Sequence, residues 1–509
     1  MIDLTVAQIA EIVGGQLVDI SAEEAAQRHV TGTVEFDSRN LTPGGLFLAL
    51  PGARSDGHEH AAAAVAAGAV AVLAARPVGV PAVVVAPHRP MGDQGGVAGV
   101  LEHDTDGSGA AVLAALAALA SVVARQLAAQ GLTIIGITGS SGKTSTKDLV
   151  AAVLDPLGPV ICPPGSFNNE LGHPWTVLRA TTETDYLILE MSARHRGNIA
   201  ALAAIAAPQI GVVLNVGTAH LGEFGSRQAI AATKAELPQA IPQNGVVILN
   251  ADDPAVAAMA DLTAAQVVRV SRASATDRGP SDVWAGPVTL DELARPSFTL
   301  HTSGTFPTGA VEVHLGVAGE HQVTNALCAA AVGLVSGAGI SQVGAALHAA
   351  RPVSGHRMQV TTRADGVTVI DDAYNANPDS MRTGLQALAW IAHRGGQRRR
   401  SWAVLGEMGE LGDDAITEHD RVGRLAVRLD VSRLVVIGMG RSMSAMYYGA
   451  VMEGSWAGEA TMVADTAAAL ALLQAELHPG DVVLVKASHS AGLWVLAEAL
   501  VGSDNPGRR

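Results

Sequence analysis

At 509 residues, 48% hydrophobic and only 3% aromatic, the chain is long enough for about three domains with cores packed from Ala, Val and Leu. A formal charge of −15 argues against a non-specific nucleic-acid binder and suits a soluble cytoplasmic enzyme. The two cysteines, Cys162 and Cys328, lie far apart, which argues against a disulfide scaffold or a Cys-based zinc site and fits a reducing compartment.

The first fifteen residues carry acids and no basic cluster, so they do not read as a signal peptide. Leu4–Val13 predicts a short helix ending at Gly14-Gly15. A strand over Val34–Arg39, a turn at Thr42–Gly45, a strand over Leu46–Leu50, a helix over Ala61–Ala67 and a strand over Ala69–Leu73 complete a small α/β module, residues 1–100. Its polar cluster, Asp37, Ser38 and Arg39 with Asp56, Gly57 and His58, reads equally well as solvated loops or as a site. Residues 87–109 are rich in Gly, Pro and Asp, a linker composition, and the first boundary falls there, at about 109. The apolar run Ala110–Ala124 stops at Arg125, too short to span a bilayer, and predicts a buried helix within 110–129. No repeat is visible.

The central segment, 110–352, contains the most informative stretch. The strand-like run Leu132–Ile137 ends in Thr138-Gly139-Ser140-Ser141-Gly142-Lys143-Thr144-Ser145. Glycines permit a tight turn, and backbone N–H groups in it and at the start of the next helix attract phosphate. Lys143 can reach the β/γ-phosphates and the Thr144 hydroxyl can hold Mg²⁺. The strict P-loop spacing is missing, because its first Gly is replaced by Ile137, so the bland alternative is a Gly-rich turn. A strand, this turn and a helix in register favour nucleotide binding. Tyr186–Leu189 then ends in Glu190, the pattern of a strand whose terminal acid holds Mg²⁺; the alternative is a solvent-facing Glu. The following loop, Met191–Gly197, is basic and predicted to face a ligand. Ile210–Asn215 runs to His220 at a strand's carboxyl end, where open α/β sheets place ligands. Lys234 reads blandly as a surface lysine. Strand Val246–Asn250, a β-rich irregular stretch over 280–318 and a long Ala-rich helix opened by Gly319–Asn325 follow. Alternating apolar strands and helices predict a doubly wound, mostly parallel sheet.

Residues 353–509 predict a third, Rossmann-like α/β domain behind a hinge-like joint at Arg351–Arg357. Its strands are Val367–Asp371, Trp402–Leu405, Leu434–Ile437 and Val482–Val485. Arg398–Arg400 reads as a solvated loop, and Gly438-Met439-Gly440 lacks the third Gly of a dinucleotide fingerprint.

A nucleotide-binding domain between two smaller α/β domains suits ATP-driven joining of two substrates, with closure excluding water from an activated carboxylate. Over essentially its whole length the sequence resembles the Mur ligases of peptidoglycan synthesis. The shared features are the shortened loop Gly139–Thr144, Glu190, the Asn215–His220 segment and Lys234 within Lys-Ala-Glu-Leu. The resemblance implies ATP and Mg²⁺, two ions, with Thr144 and Glu190 on one and His220 with a carbamylated Lys234 on the other. It also implies nucleotide contacts from His321, Asn325, Arg357 and Asp372. The segments Asp372–Pro378 and Gly406–Gly412 resemble the branch that adds D-Ala-D-Ala to UDP-N-acetylmuramoyl-tripeptide. The Ser38–Arg39, Pro43–Phe47 and Asp56–His58 segments resemble its UDP-sugar domain, shared with the ligase that adds the third stem residue. An Asp-Asn-Pro-Arg motif, by which many diaminopimelate-adding enzymes grip their amino acid, is missing. Asn168, Asn169 and Ser192, with Tyr374, Asn375 and Asn377, match substrate-lining positions. Met191–Arg196 is more basic than the usual version of that loop, and the 87–109 linker is long.

The expectation is an ADP-forming acid–D-amino-acid ligase in which Lys143, Lys234 and His220 are catalytic, acting through an acyl phosphate. It is expected to be cytoplasmic and monomeric, without membrane insertion or nucleic acid. The alternatives are a related ligase adding the third stem residue, a folylpolyglutamate synthase, which the UDP-domain segments disfavour, and a non-ligating P-loop ATPase. The third residue of the tripeptide, the general base and the domain arrangement are not legible in the sequence.

Overall fold

The computed structural model describes residues 1–53, 55–87, 101–217, 221–272, 281–394, 398–454 and 458–502. Three α/β sheets follow one another along the chain. The small pair β1 (Leu4–Thr5) and β3 (His29–Val30) flanks the first sheet, whose order is β2 (Gln16–Val18), β7 (Ala82–Val84), β6 (Ala69–Ala74), β5 (Gly45–Leu48), β4 (Val34–Glu35). All its pairs are parallel except β2–β7. Helix α1 (Val6–Val13) starts at a Thr5 capping box and stops at Gly14, whose φ of 64° any Cβ would strain. The expected strand over Val34–Arg39 ends early: Asp37 accepts from the Arg39 N–H and turns Ser38–Asn40 into a 3₁₀ turn. Helices α2 (Ala22–Gln27) and α3 (Ala61–Ala66) complete this unit.

The central sheet contains β8 (Thr133–Thr138), β9 (Val160–Ile161), β10 (Tyr186–Glu190), β11 (Ile210–Val213), β12 (Val246–Asn250), β13 (Gln266–Ser271), β14 (Val283–Ala285), β15 (Thr289–Leu290), β16 (Pro296–Thr302) and β17 (Gly309–His314). From β9 through β10, β8, β11, β12 and β13 to β14 it is parallel; β14, β16, β15 and β17 add an antiparallel edge, the irregular β-rich stretch expected over 280–318. Strand β8 is flanked by β10 and β11, so the chain winds both ways from it and leaves a crevice at its carboxyl end. Helix α4 (Ser108–Ala128) agrees with the helix expected over 110–129 and continues past the end of the apolar run, with Arg125 exposed on it. By length and composition it could cross a membrane, yet most of it is buried. Its Leu116 and Leu119 share one core with Leu46 and Leu73 of the first sheet and Leu187 of β10. On the other face, α5 (Lys143–Leu154) and the helix Gln322–Val335 pack through Val150, Val153, Leu327 and Ala330.

A polar-to-aromatic clamp joins the first two units. Helix α6 (Gly172–Val177) carries Trp175, whose indole donates to the Val34 carbonyl at 2.8 Å. The rings of Phe36 and Phe167 lie 5.9 and 4.9 Å from Trp175.

The third sheet has the order β18 (Gln359–Thr362), β19 (Thr368–Asp371), β23 (Val482–Lys486), β20 (Ser401–Leu405), β21 (Arg433–Ile437), β22 (Ala460–Val463), with only β18 antiparallel. The polar loops after β19, β20 and β23 all leave the carboxyl edge, as expected of a Rossmann-like sheet.

Candidate active site

The phosphate-type loop connects β8 to α5. Gly142 has a φ of 84°, and a Cβ there would lie 2.7 Å from Asn325 Oδ1, so glycine is required twice over. The Ser140 and Ser141 N–H groups do not point at solvent: both donate to Asn215 Oδ1 at 3.0 Å, while Asn215 Nδ2 donates to the Ser141 carbonyl at 3.1 Å. Asn215, just past β11, therefore braces the loop from the neighbouring strand. No side chain caps α5, which leaves its first-turn N–H groups, from Lys143 to Ser145, for an anion. Lys143 Nζ folds back onto the Gly139 carbonyl at 2.7 Å. Burial lowers its pKa, and nearby Arg357 adds to this while Glu190 opposes it.

Strand β10 lies parallel to β8 with Glu190 opposite Ile137, which brings its carboxylate beside the loop. Glu190 Oε2 accepts from Thr144 Oγ1 at 3.1 Å and, at 3.4 Å, from Ser166 Oγ and Asn168 Nδ2. Glu190 Oε1 is buried with no partner. A buried carboxylate oxygen without a donor is costly, and a cation relieves that cost. Carboxylate and hydroxyl oxygens form a hard donor set, which fits Mg²⁺. His220 lies outside the described residues. Lys234 closes helix α9 (Arg227–Lys234), preceded by α7 (Asn198–Ile205) and α8 (Leu221–Phe224); it is buried, not the surface lysine of the bland reading. Burial, helped by the charge of Lys143, pushes its pKa down to about 7. An uncharged amine is the form that adds CO₂, so a carbamate is chemically accessible here.

Across the crevice, His321 is half-buried, and desolvation pushes its pKa down to about 4, so it is neutral. Asn325 donates to Gln322 Oε1 at 2.8 Å. From the third unit, the Arg357 guanidinium sits 4.1 Å over the Tyr374 ring. Asp372 Oδ1 accepts from the Met358 N–H at 3.1 Å and Oδ2 from Lys486 Nζ at 2.5 Å. Lys486, buried at the end of β23, also donates to the Asn375 carbonyl at 2.8 Å.

These groups surround a cavity of about 1460 Å³. Ser140 to Ser145, Asn168, Asn169, Ser192, His321, Asn325, Arg357, Asp372, Tyr374, Asn375 and Asn377 all line it. Gly139, Glu190 and Lys234 are not among the lining residues, though Glu190 touches the lining through Thr144. Several lining side chains are committed locally. Asn169 Oδ1 accepts from the Gly172 N–H at 2.9 Å, Asn377 caps the helix Pro378–His393, Asn375 Oδ1 accepts from the Ala376 N–H, and Ser192 Oγ donates to Asn168 Oδ1.

Ser38, Arg39, Asp56 and His58 are not part of this lining. Arg39 is exposed and paired with Asp37. His58 is buried: Nε2 accepts from the Ala75 N–H at 3.0 Å, so Nδ1–H donates to Asp56 at 2.7 Å. Asp56 is opposed by burial but held at about 2 by bonds from the His58 backbone, Arg76 and the His58 ring. The Asp56–His58 pair thus fastens a loop to β6. The sequence reading noted the Asn215–His220 segment without giving Asn215 a role, and missed Ser166 and Lys486; for Asn215 and Lys486, a polar residue ending an apolar strand was the available signal.

Family models cover most of this architecture: a Mur ligase family catalytic domain matches residues 32–120, a Mur ligase middle domain 137–333, and a Mur ligase glutamate ligase domain 356–489. The curated UDP-N-acetylmuramoyl-tripeptide–D-alanyl-D-alanine ligase of Mycobacterium leprae is 75% identical over 513 residues, covering 99% of each chain. The crystal structure of MurF from Acinetobacter baumannii superposes with a TM-score of 0.78 at 29% identity, over 98% of this chain and 99% of that one. MurF ligase from Thermotoga maritima in complex with ADP gives 0.71 at 25% identity, over 93% and 98%. With its loop, its buried acid and all three units accounted for in this way, the chain belongs to the Mur ligase family.

Proposed function

We propose that the chain is an ATP-dependent, ADP-forming ligase that joins D-Ala-D-Ala to UDP-N-acetylmuramoyl-tripeptide in cytoplasmic peptidoglycan precursor synthesis. The observation that carries this reading is one cavity. In it the uncapped start of α5, the Thr144–Glu190 cluster and the Arg357–Tyr374 face of the third unit meet. The full-length similarity to the Mycobacterium leprae ligase supports the choice of substrates.

ATP donates its γ-phosphoryl group to the terminal carboxylate of the tripeptide, forming an acyl phosphate and ADP. The amine of D-Ala-D-Ala attacks that carbonyl, and the tetrahedral intermediate collapses to an amide and phosphate. The α5 N–H groups and Lys143 bind the phosphates. His321 and Asn325 flank the nucleotide base, and Asp372 and Arg357 contact it from the third unit. Thr144 and Glu190 would hold one Mg²⁺, and His220 with carbamylated Lys234 a second. Bound there, Mg²⁺ supplies charge neutralisation for the transferring phosphoryl group. The cavity walls keep water from the acyl phosphate. Residues 1–100 bind the UDP sugar through Ser38, Arg39 and the Asp56–His58 loop, 110–352 form the ATPase unit and 353–509 the closing unit, in a monomer.

ADP release measured with UDP-tripeptide and single amines tests this. Release that depends on D-Ala-D-Ala is the expected result. Dependence on a free amino acid would point to the ligase for the third stem residue, and release with no amine would point to a non-ligating ATPase.

A further inference from the structure

Lys147 lies one turn beyond Lys143 on α5, and its side chain is 1% exposed. A fully buried lysine is rare unless its charge is paired. Here Nζ donates to the Pro163 carbonyl at 2.8 Å, and at 3.4 Å to the Gly165 carbonyl and Ser354 Oγ, while Asp148 Oδ1 lies 2.8 Å away. Asp148 Oδ2 accepts from the Ser354 N–H at 3.1 Å. The two neighbouring side chains thus grip one residue more than 200 positions away in sequence.

Ser354 opens the joint between the second and third units. Within the joint, His356 and Met358 have φ of 59° and 49°, left-handed backbone at residues with a Cβ. Such strain persists only where surroundings over-determine it. The far end of the joint is fixed by the third unit: His356 Nδ1 meets Asp371 at 2.7 Å, the Tyr374 N–H donates to the His356 carbonyl at 3.1 Å, and the Met358 N–H donates to Asp372. The near end is fixed by Lys147 and Asp148. Arg357 stands between the two strained residues and is aimed into the cavity over Tyr374. Lys147 also holds the Pro163–Gly165 segment, whose next residue, Ser166, reaches Glu190.

We propose that Lys147 and Asp148 are positioning residues that couple the phosphate-binding helix to the joint Ser354–Met358, so that Arg357 is presented to the cavity only while the joint is gripped from α5. The kinetic consequence rests on the ligase reading above; the mechanical consequence does not.

The test compares Asp148→Ala, Asp148→Asn and Ser354→Ala with the wild type, by amide hydrogen exchange across 354–358 without substrates and by steady-state ligation. Asp148→Ala is expected to speed exchange at Ser354 by about tenfold or more and to lower kcat by about tenfold. Asp148→Asn still offers an oxygen to the Ser354 N–H and should recover kcat to within about threefold of wild type. Ser354→Ala keeps that backbone bond, is tolerated by the fold if Asp148→Ala is not, and should lower kcat by about threefold through the lost Lys147 contact. Wild-type exchange at the joint in Asp148→Ala, wild-type kcat in both alanine variants, or equal impairment in Asp148→Asn and Asp148→Ala would overturn the proposal. If the wild type itself shows no amine-dependent ADP release, the ligase reading fails, and the exchange data still decide the grip.

Discussion

Asn215 offers the sharpest check on how the phosphate loop is held. Its side chain makes three hydrogen bonds to the loop, two as acceptor at 3.0 Å from the Ser140 and Ser141 N–H groups and one as donor at 3.1 Å. Neutral bonds of this kind contribute about 1 kcal/mol each, and the Ser140 N–H keeps a second acceptor in the Asn215 main-chain carbonyl at 3.2 Å, so Asn215→Ala removes roughly 2 kcal/mol of loop order. The fold keeps the loop anchored through β8 and α5, so this ordering must instead be supplied when ATP binds. The expected result is a kcat/KM for ATP lowered by roughly 30-fold, since 1.4 kcal/mol is about tenfold. Asn215→Asp separates order from charge. It retains both acceptor positions, but sets a carboxylate against the Ser141 carbonyl and near incoming phosphates. Its loop should be ordered and its ATP affinity still low, most of all at low ionic strength. Initial rates of ADP release with ATP varied, and calorimetric titration with ADP, read these outcomes. An Asn215→Ala enzyme with wild-type kcat/KM for ATP would refute the idea that the strand-end amide holds the loop.

Lys234→Ala should nearly abolish ligation, and high bicarbonate should not restore it; near wild-type turnover would show that no carbamate at this position is needed. His173, fully buried, has its pKa pushed by burial to about 4 from an ordinary 6.5, against a smaller opposing pull from the Glu190 and Leu202 backbone. Its folded value is depressed, so the unfolded chain binds the extra proton, and stability present above pH 6.5 is lost as pH falls toward 4. The loss reaches about 3 kcal/mol. Thermal unfolding of the wild type and of His173→Leu between pH 7 and 4.5 should show the gap between them closing in favour of the variant as pH falls, and parallel curves would contradict the assignment.

Much of the fold was legible because parallel strands buried on both faces are written as apolar runs: Ile134–Ile137, Leu187–Leu189 and Val482–Val485 all appear where expected. The loop Gly139–Thr144 and the acid Glu190 were legible because both chemistry and backbone conformation constrain them. Other polar residues were ambiguous for a physical reason. A side chain that can bind a ligand can also cap a helix or close a turn, as Asn169, Asn377 and Asp56 do. Local spacing does not choose between these uses. Buried lysines were the least legible. Lys147, Lys234 and Lys486 look like surface residues on their own elements, and only the packing of distant segments removes them from water.

The Phe36–Phe167–Trp175 clamp has a consequence for substrate choice. Phe167 stands between Ser166 and Asn168, the two residues that reach Glu190, and the same ring touches the strand edge of the first unit through Trp175. The place where a UDP sugar would be anchored and the place where phosphoryl transfer would occur are therefore mounted on one short, stiff bracket. Under the proposed ligation, a bracket of this kind would make stem length, as well as side-chain identity, decide which carboxylate meets Lys143.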